Sequence, residues 1–188
     1  MHRRSWRPLL ALAFAASTLT TFAQPASAAD DQNTFASQAR AEGLTTAEAR
    51  GLQARVEAIL EKDGGTQIAA NRVRWANGAG DTTLPLPGEK HARNLTTARS
   101  PGTLLYGCDY GYFCTWQMQY YQGAKYSYYY CQDYATPYSF NSYENNQTRG
   151  TRAAFKGYSR NVIYWTPNGA WESHPTFSGL STYYIRPC

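Results

Sequence analysis

Between residues 45 and 62 the apolar side chains Leu52, Val56, Ile59 and Leu60 recur at the spacing that gathers them on one face of a helix. Thr45 followed three residues later by Glu48 is a capping-box signature for its start, and Gly64-Gly65 marks its end. Beyond it the period changes. Thr66 to Trp75 alternates Val73 and Trp75 with arginines, Asn77-Gly78 and Gly80-Asp81 are turn residues, and Thr82 to Leu86 closes what reads as a hairpin under the helix. Residues 29–44 are polar and alanine-rich with no period, which predicts a flexible N-terminus.

From residue 106 the pattern is strand-like throughout. Gly111 to Trp116 and Tyr126 to Cys131 are aromatic-rich runs either side of a turn that ends at Gly123. Further strand candidates are Arg152 to Phe155, Asn161 to Trp165 and Thr182 to Arg186, separated by Asn, Gly, Pro and Ser clusters. All sixteen tyrosines lie from Tyr106 onward, whereas Phe35 and Trp75 are the only aromatics between Ala29 and Leu105. That shift places a domain boundary. The division is a helix-hairpin unit over 45–87, serving as a leader, a pro-segment or a tethered module, a linker over 88–105, and an all-β sandwich over 106–188.

The first 28 residues change the charge picture. Arg3, Arg4 and Arg7, an apolar run from Leu9 to Ala16 and the small-residue site Ala26-Ser27-Ala28 form a secretory signal peptide. The apolar run is far shorter than the ~20 residues that span a bilayer, so no membrane insertion is expected and the protein reads as secreted and extracellular. Removing the leader leaves 15 basic and 13 acidic residues, so the formal +5 of the whole chain falls to +2. A nucleic-acid partner loses its electrostatic support.

An exported chain with Cys108, Cys114, Cys131 and Cys188 confined to its last 81 residues predicts two disulfides. Three connectivities are open. The one favoured joins Cys108 to Cys114 across the Asp109-Tyr110-Gly111 turn and Cys131 to Cys188. A metal site is not expected, because neither His91 nor His174 sits at ligand spacing from a cysteine.

Trp116-Gln117-x-x-x-Tyr121-x-Gly123 resembles the aromatic, acidic-or-amide, aromatic, glycine signature of a βγ-crystallin Greek-key hairpin. With Cys108-x5-Cys114 ahead of it and Asn145-Asn146-Gln147-Thr148 behind, residues 108–188 resemble a secreted actinobacterial peptidase-inhibitor family whose founder is a streptomycete metalloproteinase inhibitor. The resemblance implies a βγ-crystallin-like Greek-key sandwich in which Trp116, Tyr121 and Gly123 are structural, and an extracellular peptidase as partner. The founder's inhibitory loop lies between a second close pair of cysteines, whereas Cys131 and Cys188 are far apart, so no reactive-site residue carries over. The crystallin calcium loop begins at Asn145-Asn146 and fails at Arg149 and Gly150, so a structural turn is expected there.

No nucleophile motif surrounds His91 or His174, and nothing pairs any two of Asp109, Asp133, Glu144 and Glu172, so neither an enzyme nor a cofactor is expected. The tyrosines remain. Alternation places Tyr126, Tyr128 and Tyr130 on one face of a strand, a candidate recognition surface if that face is outward and core filler if it is not. Two functions follow: a peptidase inhibitor or peptidase-binding protein, and a non-inhibitory βγ-crystallin-like module that binds polysaccharide or cell wall or acts as a killer-toxin-like antimicrobial protein.

Overall fold

The computed structural model describes residues 27–95, 107–136 and 139–188, with side chains from Thr34 onward. The predicted leader lies outside these residues apart from Ser27 and Ala28, as do residues 96–105 of the predicted linker. Helices α1 (Ser27–Ala41) and α2 (Thr46–Asp63) precede strands β1 (Thr66–Ala69), β2 (Arg72–Arg74) and β3 (Gly80–Thr83). After the break come β4 (Tyr112–Trp116), β5 (Lys125–Tyr128), β6 (Tyr134–Ala135), β7 (Ser142–Asn146), β8 (Ala154–Lys156), β9 (Val162–Trp165), β10 (Glu172–His174) and β11 (Tyr184–Arg186). Neither helix is long and apolar enough to cross a membrane. The described residues are therefore mostly β-sheet, with two sheets, two α-helices and two disulfides among them.

The larger sheet has seven strands in the order β1-β2-β3-β5-β4-β7-β10, antiparallel at every pairing. It runs across the sequence break. Gly80, Asp81, Thr82 and Thr83 of β3 stand opposite Tyr128, Ser127, Tyr126 and Lys125 of β5. One cross-strand row, Gln67, Val73, Thr82, Tyr126, Thr115, Tyr143 and His174, therefore crosses the whole sheet. The next row, Arg74, Asp81, Ser127, Cys114, Glu144 and Ser173, points to the opposite face because successive side chains alternate.

The face bearing Val73, Tyr126 and Tyr143 is the core face. At one end α2 lays Leu52 and Val56 on β1 and β2; at the other, the four-stranded sheet β6-β11-β8-β9 packs Phe155 and Ile185 against Phe113 and Tyr143. Helix α2 begins as its sequence predicts: Thr45 accepts from Glu48 N, while the Glu48 carboxylate accepts from Thr45 N at 2.8 Å. The Thr45 hydroxyl, donating to the Glu48 carboxylate at 2.7 Å, and then the Thr45 N–H hold that carboxyl below its ordinary range.

Three expectations need correction. The stretch 29–44 lies largely within α1, whose Ala39 is buried and whose Phe35 packs on the core, an apolar contact too sparse to register as a period. The expected hairpin is three strands, because Ala70-Asn71 turns the chain between β1 and β2. Buried Asn71 holds that turn, donating to Leu84 O at 2.7 Å and to Arg93 O at 3.0 Å. The described part of the linker is anchored: Arg93 pairs with Glu42 at 2.7 Å and Glu89 at 2.9 Å, and His91 bridges to Gly123.

Candidate recognition surface

Cys108 and Cys114 are joined, with Cα atoms 5.7 Å apart, as are Cys131 and Cys188 at 5.4 Å. The first bridge closes a knuckle over Asp109-Tyr110-Gly111. Tyr112 N donates to Asp109 O at 3.1 Å, Gly111 N to Asn146 O at 2.8 Å, and Asn146 Nδ2 to Cys108 O at 2.8 Å. Tyr110 is 75% exposed at its tip. Where a turn is expected, Asn145 and Asn146 are instead the last residues of β7 and the chain bends only from Gln147; Asn145 donates to Thr151 O at 2.8 Å and accepts from Gln147 Nε2 at 3.0 Å.

Trp116 and Tyr121 meet edge to face, ring centroids 5.1 Å apart, across a chain reversal that includes a 3₁₀ turn over Gln119–Tyr121. Gly123 adopts φ +79°, where a larger residue is strained, and a Cβ there would crowd Gln117 Cβ at 3.1 Å. The turn is fixed from outside by Gly123 N donating to Lys90 O at 2.8 Å, and by Ser142 Oγ donating to Met118 O at 2.7 Å.

The stripe Tyr126, Tyr128, Tyr130 does not form an outward surface. Tyr126 is 6% and Tyr128 1% exposed, while Tyr130, beyond the strand end, is 53% exposed. β5 lies inside the seven-stranded sheet between β3 and β4, and its tyrosine face is covered by Trp75, Tyr134 and Phe113. Burial pushes the Tyr128 phenol well above its ordinary range, with Thr115 acting against the shift. Tyr129 is exposed at the other parity; its ring contacts Tyr112 at 5.0 Å and Tyr130 at 5.2 Å, forming a chain of rings beside the knuckle.

The opposite face of the sheet carries a smaller apolar cluster of Cys108, Cys114 and Trp116, with buried polar groups beside it. Asp81, 1% exposed, accepts from Arg74 Nε at 2.7 Å and pairs with Arg72. Lys125 is equally enclosed, its ammonium donating to Gly107 O at 3.1 Å, and burial holds its pKa below the ordinary lysine value. Glu144 accepts from Trp171 Nε1 at 3.3 Å, and burial raises its carboxyl. Asp133 pairs with Lys156 at 2.7 Å, and Glu172 accepts from Asn168 N at 3.1 Å. His174 stacks on Tyr143 at 4.5 Å, and His91 Nδ1 lies 2.9 Å from Tyr121 O. Among the described residues no three His, Cys, Asp or Glu gather as a metal site.

Sequence reasoning missed a second surface, on the smaller sheet. Val162, Ile163 and Trp165 of β9 are all exposed, and Tyr158 meets Tyr183 edge to face at 5.4 Å. The signal was present in the apolar run Val162-Ile163-Tyr164-Trp165, but its length alone does not tell an edge strand from a core strand. No family model, curated protein or solved structure matches this chain.

Proposed function

We propose that the protein is an exported inhibitor of extracellular peptidases that acts as a rigid binding body, without chemistry of its own. One observation carries the reading: among the described residues every strongly exposed large apolar side chain, from Tyr110 to Tyr183, belongs to the disulfide-tied part of the chain. Large, stiff aromatic side chains lose little entropy on binding and dominate protein recognition. The bridges and the pinned knuckle pre-organise them. The leader-like first 28 residues and the inhibitor-like Trp116, Tyr121, Gly123 pattern point the same way. We infer that this pattern is the folded hairpin of a βγ-crystallin-like Greek key, supported by its edge-to-face rings and positive-φ glycine.

A non-inhibitory polysaccharide binder is the second reading, favoured by the tyrosine content. Ring geometry weighs against it: neighbouring exposed rings Tyr129 and Tyr130 meet at 74° and Tyr158 and Tyr183 at 79°, so neither pair presents the flat platform on which sugar rings stack. The test titrates the full exported chain against metallo- and serine peptidases, beside pull-down on chitin, cellulose and peptidoglycan. Stoichiometric inhibition of a peptidase supports the first reading; retention on a polysaccharide without inhibition overturns it.

A further inference from the structure

Strand β9 ends the four-stranded sheet, and among the described residues β8 is its only partner. Its outer main-chain N–H and C=O groups are thus available to another strand; proteins ordinarily blunt such an edge with charge, proline, short length or a bulge, and β9 is short and bulged but has neither charge nor proline within it. Here the edge is apolar: Val162 is 41%, Ile163 45% and Trp165 45% exposed. The register slips between Phe155, opposite Tyr164, and Lys156, opposite Val162, so Ile163 is an additional residue with no counterpart on β8. A bulge of this kind re-aims a side chain.

The strand is held firmly while its edge stays open. Tyr164 stacks on Phe155 at 5.4 Å, with an interplanar angle of 17°, and is tilted against Phe177 at 5.3 Å. The hairpin is closed at one end by Gly157 N donating to Asn161 O at 2.9 Å, and is fixed at the other by Thr166 N donating to Ala153 O at 2.9 Å. Both ends carry cations. Arg152 lies over the Trp165 ring at 5.8 Å, and Arg160 over the Tyr184 ring at 4.6 Å. Asp133 pairs with Lys156 at 2.7 Å and lies 4.0 Å from Arg160 and 3.9 Å from Arg186, so three cations share this one carboxylate and the Arg160 end keeps a net positive charge.

We propose that β9 is the strand through which the protein engages its target, an extended segment with acidic flanks at the substrate cleft of a peptidase. Peptide recognition by strand addition uses the main chain for affinity and alternate side chains for specificity, and β9 supplies both, with Ile163 as the projecting residue. A second copy of this chain fits less well. Antiparallel pairing of β9 with itself brings the Arg160 end of one copy to the Arg152 end of the other, placing like charges together.

This inference rests on the proposed inhibitory function, and the experiment separates the two. Full-length wild type, Ile163→Asp and the Arg152→Glu/Arg160→Glu pair are titrated against the peptidases that the wild type inhibits. Amide exchange of residues 162–165 is followed in the free and bound states. Ile163 is exposed, so Ile163→Asp should keep its melting temperature within about 3 °C; the arginine pair also gives up the Arg152 Nε bond to Thr166 O and the Arg160 contact with Asp133, so its fold is checked by circular dichroism before titration. Ile163→Asp should weaken inhibition at least about tenfold. The arginine pair should slow association and reduce its salt dependence, and it keeps the test valid if Ile163→Asp fails to fold. The β9 amides should gain protection in the complex. Unchanged inhibition by both variants, or unprotected β9 amides in a tight complex, overturns the docking strand alone. A wild type that inhibits no peptidase overturns the function and the strand together. A wild-type dimer that Ile163→Asp dissociates makes β9 a self-association edge and overturns the proposal.

Discussion

Thr82 of β3 stands directly across from Tyr126 of β5, and this pairing makes residues on either side of the 96–106 segment neighbours in one sheet. Both side chains are buried on the core face, so neither part covers its apolar surface without the other. On the reverse face of the same strand, Asp81 is opposite Arg74 and is also reached by Arg72.

Unfolding should therefore be a single cooperative transition spanning both parts, with calorimetric and van't Hoff enthalpies equal. Asp81→Ala should remove about 3–5 kcal/mol, because the Arg72 side chain, only 11% exposed, loses its countercharge inside the protein. Two separate heat-absorption peaks would show that the β3–β5 pairing does not couple the two parts.

The second disulfide closes a longer loop than the first, with sequence separations of 57 and 6. Loop-closure entropy then assigns about 4 kcal/mol to Cys131–Cys188 and about 2 kcal/mol to Cys108–Cys114. Cys131→Ser/Cys188→Ser should lower the denaturant midpoint accordingly. In Cys108→Ser/Cys114→Ser, the fully buried position of Cys114 adds a packing and polarity cost to the entropic one. Urea titration of the two double variants measures both losses, and a negligible loss at the long loop contradicts the entropic account.

Trp116 is fully buried with its ring against Tyr121, so Trp116→Ala should cost about 3–5 kcal/mol. Gly123→Val should cost about 1–3 kcal/mol, because a β-branched residue at φ +79° is strained and its Cβ crowds Gln117. In both variants activity should be lost only in proportion to folding, as read by paired circular dichroism and inhibition assays.

Much of this was legible from residue types whose physics is local. The Thr45–Glu48 box, the glycine after the Trp116–Tyr121 turn and the short loop between Cys108 and Cys114 involve residues only a few positions apart. The fate of Tyr126 and Tyr128 was not legible, because alternation states which side chains share a face but not what lies against it. That depended on β3 docking beside β5 and on Trp75 and Tyr134 covering the tyrosines, all contacts distant in sequence. The open edge of β9 was hidden for the same reason: an edge is a property of strand order.

Tyr128 also yields a pH dependence with a definite sign. Burial raises its phenol above the ordinary value of 10.0, and burial likewise raises Tyr143, with the Tyr164 hydroxyl and the Glu172 carboxylate adding to the shift. A folded pKa above the unfolded one means that the folded state keeps its proton longer. The corresponding stability is complete below pH 10.0 and is lost as pH rises above it. The buried Tyr128 and Tyr143 phenols should therefore ionise only as the fold melts, seen as a rise in tyrosinate absorbance that coincides with loss of structure. Tyr128→Phe should lessen the alkaline loss. Tyr128→Ala should cost about 3–5 kcal/mol at neutral pH, and Tyr130→Ala less than about 0.5 kcal/mol. Identical alkaline profiles for Tyr128→Phe and the wild type would show that ionisation of this phenol is not what opens the sheet.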